Sequence, residues 1–285
     1  MNVETYRFQL GDFECLSLSD GSVNYPPGHL FANVPKAQVE KALCHRNLPA
    51  DYVTTPCAHL YVDTGVHRVL VDTGAGKMTP GTGRLWQNMA AAGVGPADID
   101  TVIITHAHPA HVGGTLDDEG CLVYANARYY LWVDEWEFWT SEVAFARASE
   151  RHVAIARANL EAIRDRLILL DQEGEIVPGV RVVPAPGHTP GHMVVSVSSG
   201  DRRLRDRCLL YISDAAMHPL HLEHPDWTPI YDIAPGQAQI SRRRVFDLAA
   251  QEQIWVIGQH FPPFPSLGHV AVKGKGWQWQ PLEAR

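Results

Sequence analysis

The chain has 285 residues, 45% hydrophobic and 20% charged, with a formal net charge of −8. That apolar content excludes a disordered chain, and the acidic balance excludes the concentrated basic face that a nucleic-acid backbone demands. No run approaches the ~20 apolar residues of a bilayer span, which speaks against a membrane partner. The opening Met1-Asn2-Val3-Glu4-Thr5-Tyr6 has neither the basic nor the apolar region of a signal peptide. The five cysteines form no Cys-x-x-Cys pair and suit reduced, mostly buried thiols, so a cytoplasmic location is expected. Two short basic stretches have local explanations. Arg202-Arg203-Leu204-Arg205 is expected at a hairpin tip and Arg242-Arg243-Arg244 on one solvated turn of a helix.

In chain order, Tyr6–Leu10 and Phe13–Leu18 flank Gly11-Asp12 as a hairpin. Ala58–Asp63 and His67–Val71 form a second, closing at Asp72-Thr73-Gly74. Between them Asn24–Pro56 is rich in Pro and Gly, with one expected helix at Lys36–Leu43, and suits a pocket wall or an oligomer contact. From Gly83 the period lengthens: Leu85, Trp86, Met89 and Ala92 share a helical face that Gly93 ends. Thr101–Thr105 is a continuous apolar run suited to a strand buried on both sides. Further strands are expected at Leu122–Tyr124, Leu167–Leu170, Val180–Pro184, Met193–Ser198, Cys208–Ser213 and Ile254–Ile257. Helices are expected over Ser141–Arg166 and Gln237–Gln251, and a last hairpin around Lys273–Trp279. This order fits a layered α/β arrangement, two mixed sheets inside and helices outside, in one domain over 1–285.

The chemistry concentrates in histidine. Thr105-His106-Ala107-His108-Pro109-Ala110-His111-Val112-Gly113-Gly114 places three imidazoles within six residues, directly after the buried strand. Borderline metals such as zinc prefer neutral imidazole nitrogen, and a tight loop aims several at one point. His106 and His108 point the same way, and His111 points elsewhere. Downstream, His188 follows a strand in Pro186-Gly187-His188-Thr189-Pro190-Gly191-His192, Asp214 ends another in Ile212-Ser213-Asp214-Ala215, and His260 ends a third. Strand C-termini are where α/β sheets gather ligands. Taken singly, Asp214 could cap a turn and His260 could be a satisfied core histidine.

These residues, in this order from Asp72 to His260, resemble the metallo-β-lactamase-fold hydrolases, whose loop reads His-x-His-x-Asp-His. The Gly187–His192 turn and the tail His260–His269 are similar to the methyl parathion hydrolase and lactonase branch. The resemblance implies a four-layer αββα sandwich and two divalent metal ions. One would be held by His106, His108 and His188, the other by His111 and His260, with Asp214 bridging them and a hydroxide; His269 is the fallback for His260. Zinc is the expected metal, with iron, manganese or cobalt as alternatives. The implied activity is hydrolysis of esters or lactones, extending to aryl phosphotriesters, by a metal-bound hydroxide. Asp72 matches a carboxylate that orients the ligand loop, or is a plain turn cap.

One position departs from the pattern. Ala110 stands where the family has a metal-ligand Asp, so the second ion is expected to be weak or absent. Two rival readings follow: a mononuclear iron oxygenase acting on a thiol, or an impaired metal- or ligand-binding member. Gly74-Ala75-Gly76-Lys77-Met78 is not a phosphate loop, because Val71 and Met78 break its pattern, and no Gly-x-Ser-x-Gly elbow exists. The aromatic stretch Tyr129–Trp139 suits a wall for a flat substrate, core packing or a dimer contact. Trp86, Trp136, Trp139 and Phe264 are the pocket candidates. The branch also suggests a homodimer by analogy.

Overall fold

A computed structural model describes residues 4–200 and 205–282. Two seven-stranded mixed sheets pack face to face. The first carries β1 (Thr5–Leu10), β2 (Phe13–Tyr25), β3 (Val53–Asp63), β4 (Arg68–Val71), β5 (Thr101–Ile103), β6 (Arg128–Trp132) and β7 (Leu167–Leu170), in that spatial order. The second carries β8 (Gly174–Val177), β9 (Val180–Pro184), β10 (Met193–Ser198), β11 (Cys208–Tyr211), β12 (Trp255–Ile257), β13 (Leu267–Lys273) and β14 (Gly276–Pro281), also in sequence order across the sheet. The pairs β4·β5, β5·β6, β6·β7 and β11·β12 are parallel.

Side-chain alternation assigns the layers, because successive strand residues face opposite sides. Val69 and Val71 of β4 and Ile103 of β5 meet Val182, Val195, Leu209 and Ile257 between the sheets. Leu70 and Val102 face outward instead, under α3 (Leu85–Ala91), α5 (Val133–Thr140) and α7 (Glu150–Ala162). On the far side Val194, Leu210 and Val256 pack under Val245, Phe246 and Ala249 of the helix Pro235–Glu252. The result is the expected αββα sandwich.

Several local expectations are corrected. The helix foreseen over Ser141–Arg166 is broken: Val143–Arg147 ends at extended Ala148, and Ser149 caps α7 by accepting from the His152 amide. Ser and Thr make better caps than helix interiors, and that competition ends the first piece. Leu122–Tyr124 is not a strand; Leu122 makes an isolated bridge to Leu116. The aromatic stretch holds β6 and α5. Arg242 is not solvated: it is buried, donating to the carbonyls of Ala215, Pro225 and Trp227 and to Asp232. The foreseen hairpin tip lies between antiparallel β10 and β11, and Arg202, Arg203 and Leu204 fall outside the described residues. Among the described residues no helix is long and apolar enough to cross a membrane.

Candidate metal centre

Neighbouring parallel strands bring their C-terminal ends to one rim of the sandwich, and every candidate ligand follows such an end or the turn beside it. Asp72 follows β4 and Thr105 lies just past β5. The Asp72 carboxylate accepts from the Thr105 amide at 2.7 Å, the Thr105 hydroxyl at 2.9 Å and His111 Nδ1 at 2.8 Å. Asp72 and Ser213 leave their strands with left-handed backbone, φ 63° and 47°. Non-glycine residues adopt that conformation at a cost, held by their surroundings. His108 precedes a single helical turn, Pro109–Val112, which carries His111 back toward Asp72.

His106 Nε2 stands 3.1 Å from His108 Nδ1, which stands 3.0 Å from His188 Nε2. Asp214 Oδ2 lies 3.2 Å from His188 Nε2 and 3.4 Å from His111 Nε2, and Asp214 Oδ1 lies 3.3 Å from His260 Nε2. Two groups result, His106/His108/His188/Asp214 and His111/Asp214/His260, the donor atoms within each lying within 4.8 Å of one another. His111 Nε2, His260 Nε2 and Asp214 Oδ1 are buried without a hydrogen bond. Buried polar atoms are seldom left so, and convergent lone pairs of imidazole and carboxylate are what a divalent cation would satisfy. The residues therefore fit a metal pair.

The outer nitrogens set which tautomer faces inward. His188 Nδ1 donates to Asp232 at 2.8 Å, His260 Nδ1 to the Pro56 carbonyl at 2.9 Å, and His111 Nδ1 to Asp72. Burial opposes charge on His188, yet hydrogen bonds to Asp214 and Asp232 lift its pKa to about 9. Burial likewise opposes charge on His111 and His260, and Asp214 outweighs it. His106 and His108 are held well below the usual imidazole range by burial and neighbouring imidazoles. Asp214, despite burial, is held well below the carboxylate range by His111 and His260.

Two carboxylates escaped the sequence reading. Buried Glu135 accepts from the amides of Ala107 (2.8 Å) and Gly191 (3.0 Å), from Thr189 Oγ1 (2.6 Å) and from Trp139 Nε1 (2.5 Å). It clips the His106–His108 loop to the His188 turn. A Cβ on Gly191 would stand 2.3 Å from the Glu135 amide, so only glycine allows the approach. The available signal was an acid among aromatics, four residues before Trp139 on one helical face. Asp232, which holds His188 and meets Arg242, carries no local signal.

Over the two groups opens a cavity of about 330 Å³ whose walls include Tyr25, His29, Ala110, Arg151, His152 and Tyr231. The pocket candidates lie elsewhere. Trp139 is fully buried with its ring 5.4 Å from that of His108, so it backs that imidazole and does not line the cavity. Trp136 packs on the outer core, and Trp86 lines a separate cavity with Lys77 and Leu116. Phe264 is half-buried and does not line the site cavity. The fallback His269 is also elsewhere, on β13, bonded to the Ile254 carbonyl.

The family model for the metallo-beta-lactamase superfamily matches residues 56–204. The chain belongs to that superfamily. AidC, a dizinc quorum-quenching lactonase solved with a product, superposes with a TM-score of 0.91 at 27% identity, covering 99% of this chain and 98% of its own. The hydrolase AbOPH gives 0.89 at 27% identity over 100% and 99%. A probable metal-dependent hydrolase from Staphylococcus aureus shares the fold at 22% identity, with a TM-score of 0.79 over 98% and 100%. No curated protein matches the chain. Family and neighbours together identify a metal-dependent hydrolase.

Proposed function

We propose that this hydrolase cleaves carboxylic esters or lactones, with aryl phosphotriesters as secondary substrates. The observation that carries the reading is one buried carboxylate, Asp214, shared by two imidazole groups on the floor of a cavity sized for a small molecule. His106, His108, His188 and Asp214 would hold one ion, and His111, His260 and Asp214 the other. Zinc is the metal that this imidazole-rich set suits first. Bound there, such ions lower the pKa of water and polarise an acyl oxygen. Asp72, Asp232 and the Pro56 carbonyl keep the ligand rings turned inward, and Glu135 keeps the two ligand loops in register. Support also comes from AidC, whose full length this chain matches.

Ala110 shapes the second group. It lies on the cavity wall and offers no donor, so a second ion would have two imidazoles and a shared carboxylate and would be held more weakly. Elemental analysis of protein purified without chelator, paired with pH-stat hydrolysis of a γ-lactone, tests the reading. Between one and two zinc ions per chain, with hydrolysis lost to chelator and restored by zinc, is expected. A single iron with oxygen uptake on a thiol would replace this reading, and no bound metal after supplementation would end it.

A further inference from the structure

The walls above the two groups are chemically one-sided. Among the described residues lining the cavity the only carboxylate is Asp214, and it is turned into the imidazoles. Elsewhere the chain is acidic, with 32 Asp and Glu against 24 Lys and Arg. Arg151 stands on the cavity wall, in the first turn of α7. Its Nη2 donates to the Met78 carbonyl, and no described carboxylate pairs with it. Arg157, on the same helix, does have an acidic partner, Glu142. A carbonyl anchor fixes the guanidinium's direction without neutralising it, leaving further N–H donors free for a planar anion.

Other features point the same way. The amino end of α7 adds partial positive charge near Arg151. Because position 110 is alanine, two divalent ions would face one carboxylate, so the floor is positive as well. An arc of rings joins the two groups: His152 lies 5.3 Å from His108 and 6.4 Å from Tyr231, and Tyr25 lies 5.9 Å from Tyr231 and 6.3 Å from His260. This arc gives an acyl chain a face to lie along.

Resting on the ester or lactone reading, we propose that the substrate carries a second, anionic group, a carboxylate on its acyl part, and that Arg151 receives it. Hydrolysis adds water across the acyl C–O bond, yielding a dicarboxylate, an alcohol and one proton. A neutral ester of equal length lacks the ion pair and is bound less well.

The test compares mono-4-nitrophenyl succinate with neutral 4-nitrophenyl butyrate on the metal-loaded protein, for wild type, Arg151→Gln and Arg151→Lys. Wild type should favour the half-ester by about tenfold in kcat/KM, the scale of one charge-assisted hydrogen-bonded pair. Arg151→Gln should collapse that ratio mainly through KM, and Arg151→Lys should restore part of it. Calorimetric binding of succinate, which needs no turnover, should weaken about tenfold in Arg151→Gln. Preference for butyrate, or a ratio and succinate affinity indifferent to position 151, overturns the proposal. If neither ester is cleaved but succinate binding depends on Arg151, the hydrolase reading fails while the anion site stands.

Discussion

The two candidate ligand groups share Asp214 but are built to different standards. The first draws three imidazoles from two loops, and those loops are stitched together by three hydrogen bonds to Glu135, whose fourth, from Trp139, fixes it on its own helix. Its His188 is braced by Asp232, itself held by Arg242, which also grips the Ala215 carbonyl beside Asp214. The second has two imidazoles, one braced by Asp72 and one by a backbone carbonyl, and a methyl group at Ala110 on its open side. Positional precision in a metal site comes from such outer contacts as much as from the ligands. The first group should therefore hold its ion the harder of the two.

Breaking one brace at a time should separate the ions. Asp232→Asn weakens the acceptor for His188 Nδ1, and Asp72→Asn does the same for His111. Each is expected to lower affinity for its own ion by about 10- to 100-fold, as outer-contact losses typically do. Metal titration followed by elemental analysis should show Asp232→Asn weakening the tight ion and Asp72→Asn chiefly the loose one, with a smaller loss at the tight ion because Asp72 also holds Thr105 beside His106. Loss chiefly of the same ion from both variants would mean that the groups do not act separately.

Ala110→Asp sharpens the contrast from the other direction. A carboxylate there would add a charged donor on the open side of the second group, and occupancy of that ion should rise by about tenfold in affinity. The tight ion should be indifferent. If dialysis against dilute chelator strips both variants alike, Ala110 is not what makes the second ion loose.

The candidate ligands could be picked out of the sequence for a physical reason: each needs a strand end and a turn, and strand ends announce themselves through apolar runs followed by Gly, Pro or Asp. His106, His188, Asp214 and His260 all sit at such boundaries, as does Asp72, the brace of His111. The braces and the cavity were less legible because tertiary packing makes them. Beyond its aromatic neighbours, nothing in the sequence separates Glu135 from a solvated acid, and Asp232 and Arg242 meet His188 and Ala215 only after the helix Pro235–Glu252 docks on the second sheet. The tryptophans were obvious as residues but not as positions, since aromatic density cannot distinguish the back of a ligand from the wall of a pocket. Ser149 was a visible cap, but the alanines and arginines around it have high helix propensity and masked the break before α7.

A last contrast lies behind the candidate ligands, where each group has one buried histidine that is not among them. His192, beside the first, uses both nitrogens: Nδ1 donates to the Ala185 carbonyl at 3.0 Å, and Nε2 accepts from the Asp214 amide at 3.2 Å. His59 is buried near His111 and His260, and although the Val71 backbone is close, neither of its ring nitrogens closes a hydrogen bond. Replacing a satisfied buried group leaves its partners stranded, whereas replacing an unsatisfied one leaves nothing behind. His192→Leu should therefore destabilise the protein at pH 7 by about 1–3 kcal/mol, and His59→Leu should leave stability level or raise it. Burial lowers both pKa values, that of His192 to about 3. Below pH 6.5 the unfolded chain takes up a proton that the folded one refuses, so each neutral imidazole's stability contribution is present above pH 6.5 and lost as pH falls below it, for His192 down to about 3. For His192 that loss amounts to roughly 2 kcal/mol between pH 6.5 and pH 5. Urea unfolding at pH 7 and pH 5 should show both variants gaining on wild type at the lower pH, from different starting points. Equal destabilisation by the two leucines at pH 7 would mean that His59 has a partner in solution, and the second group would then be better braced than its geometry implies.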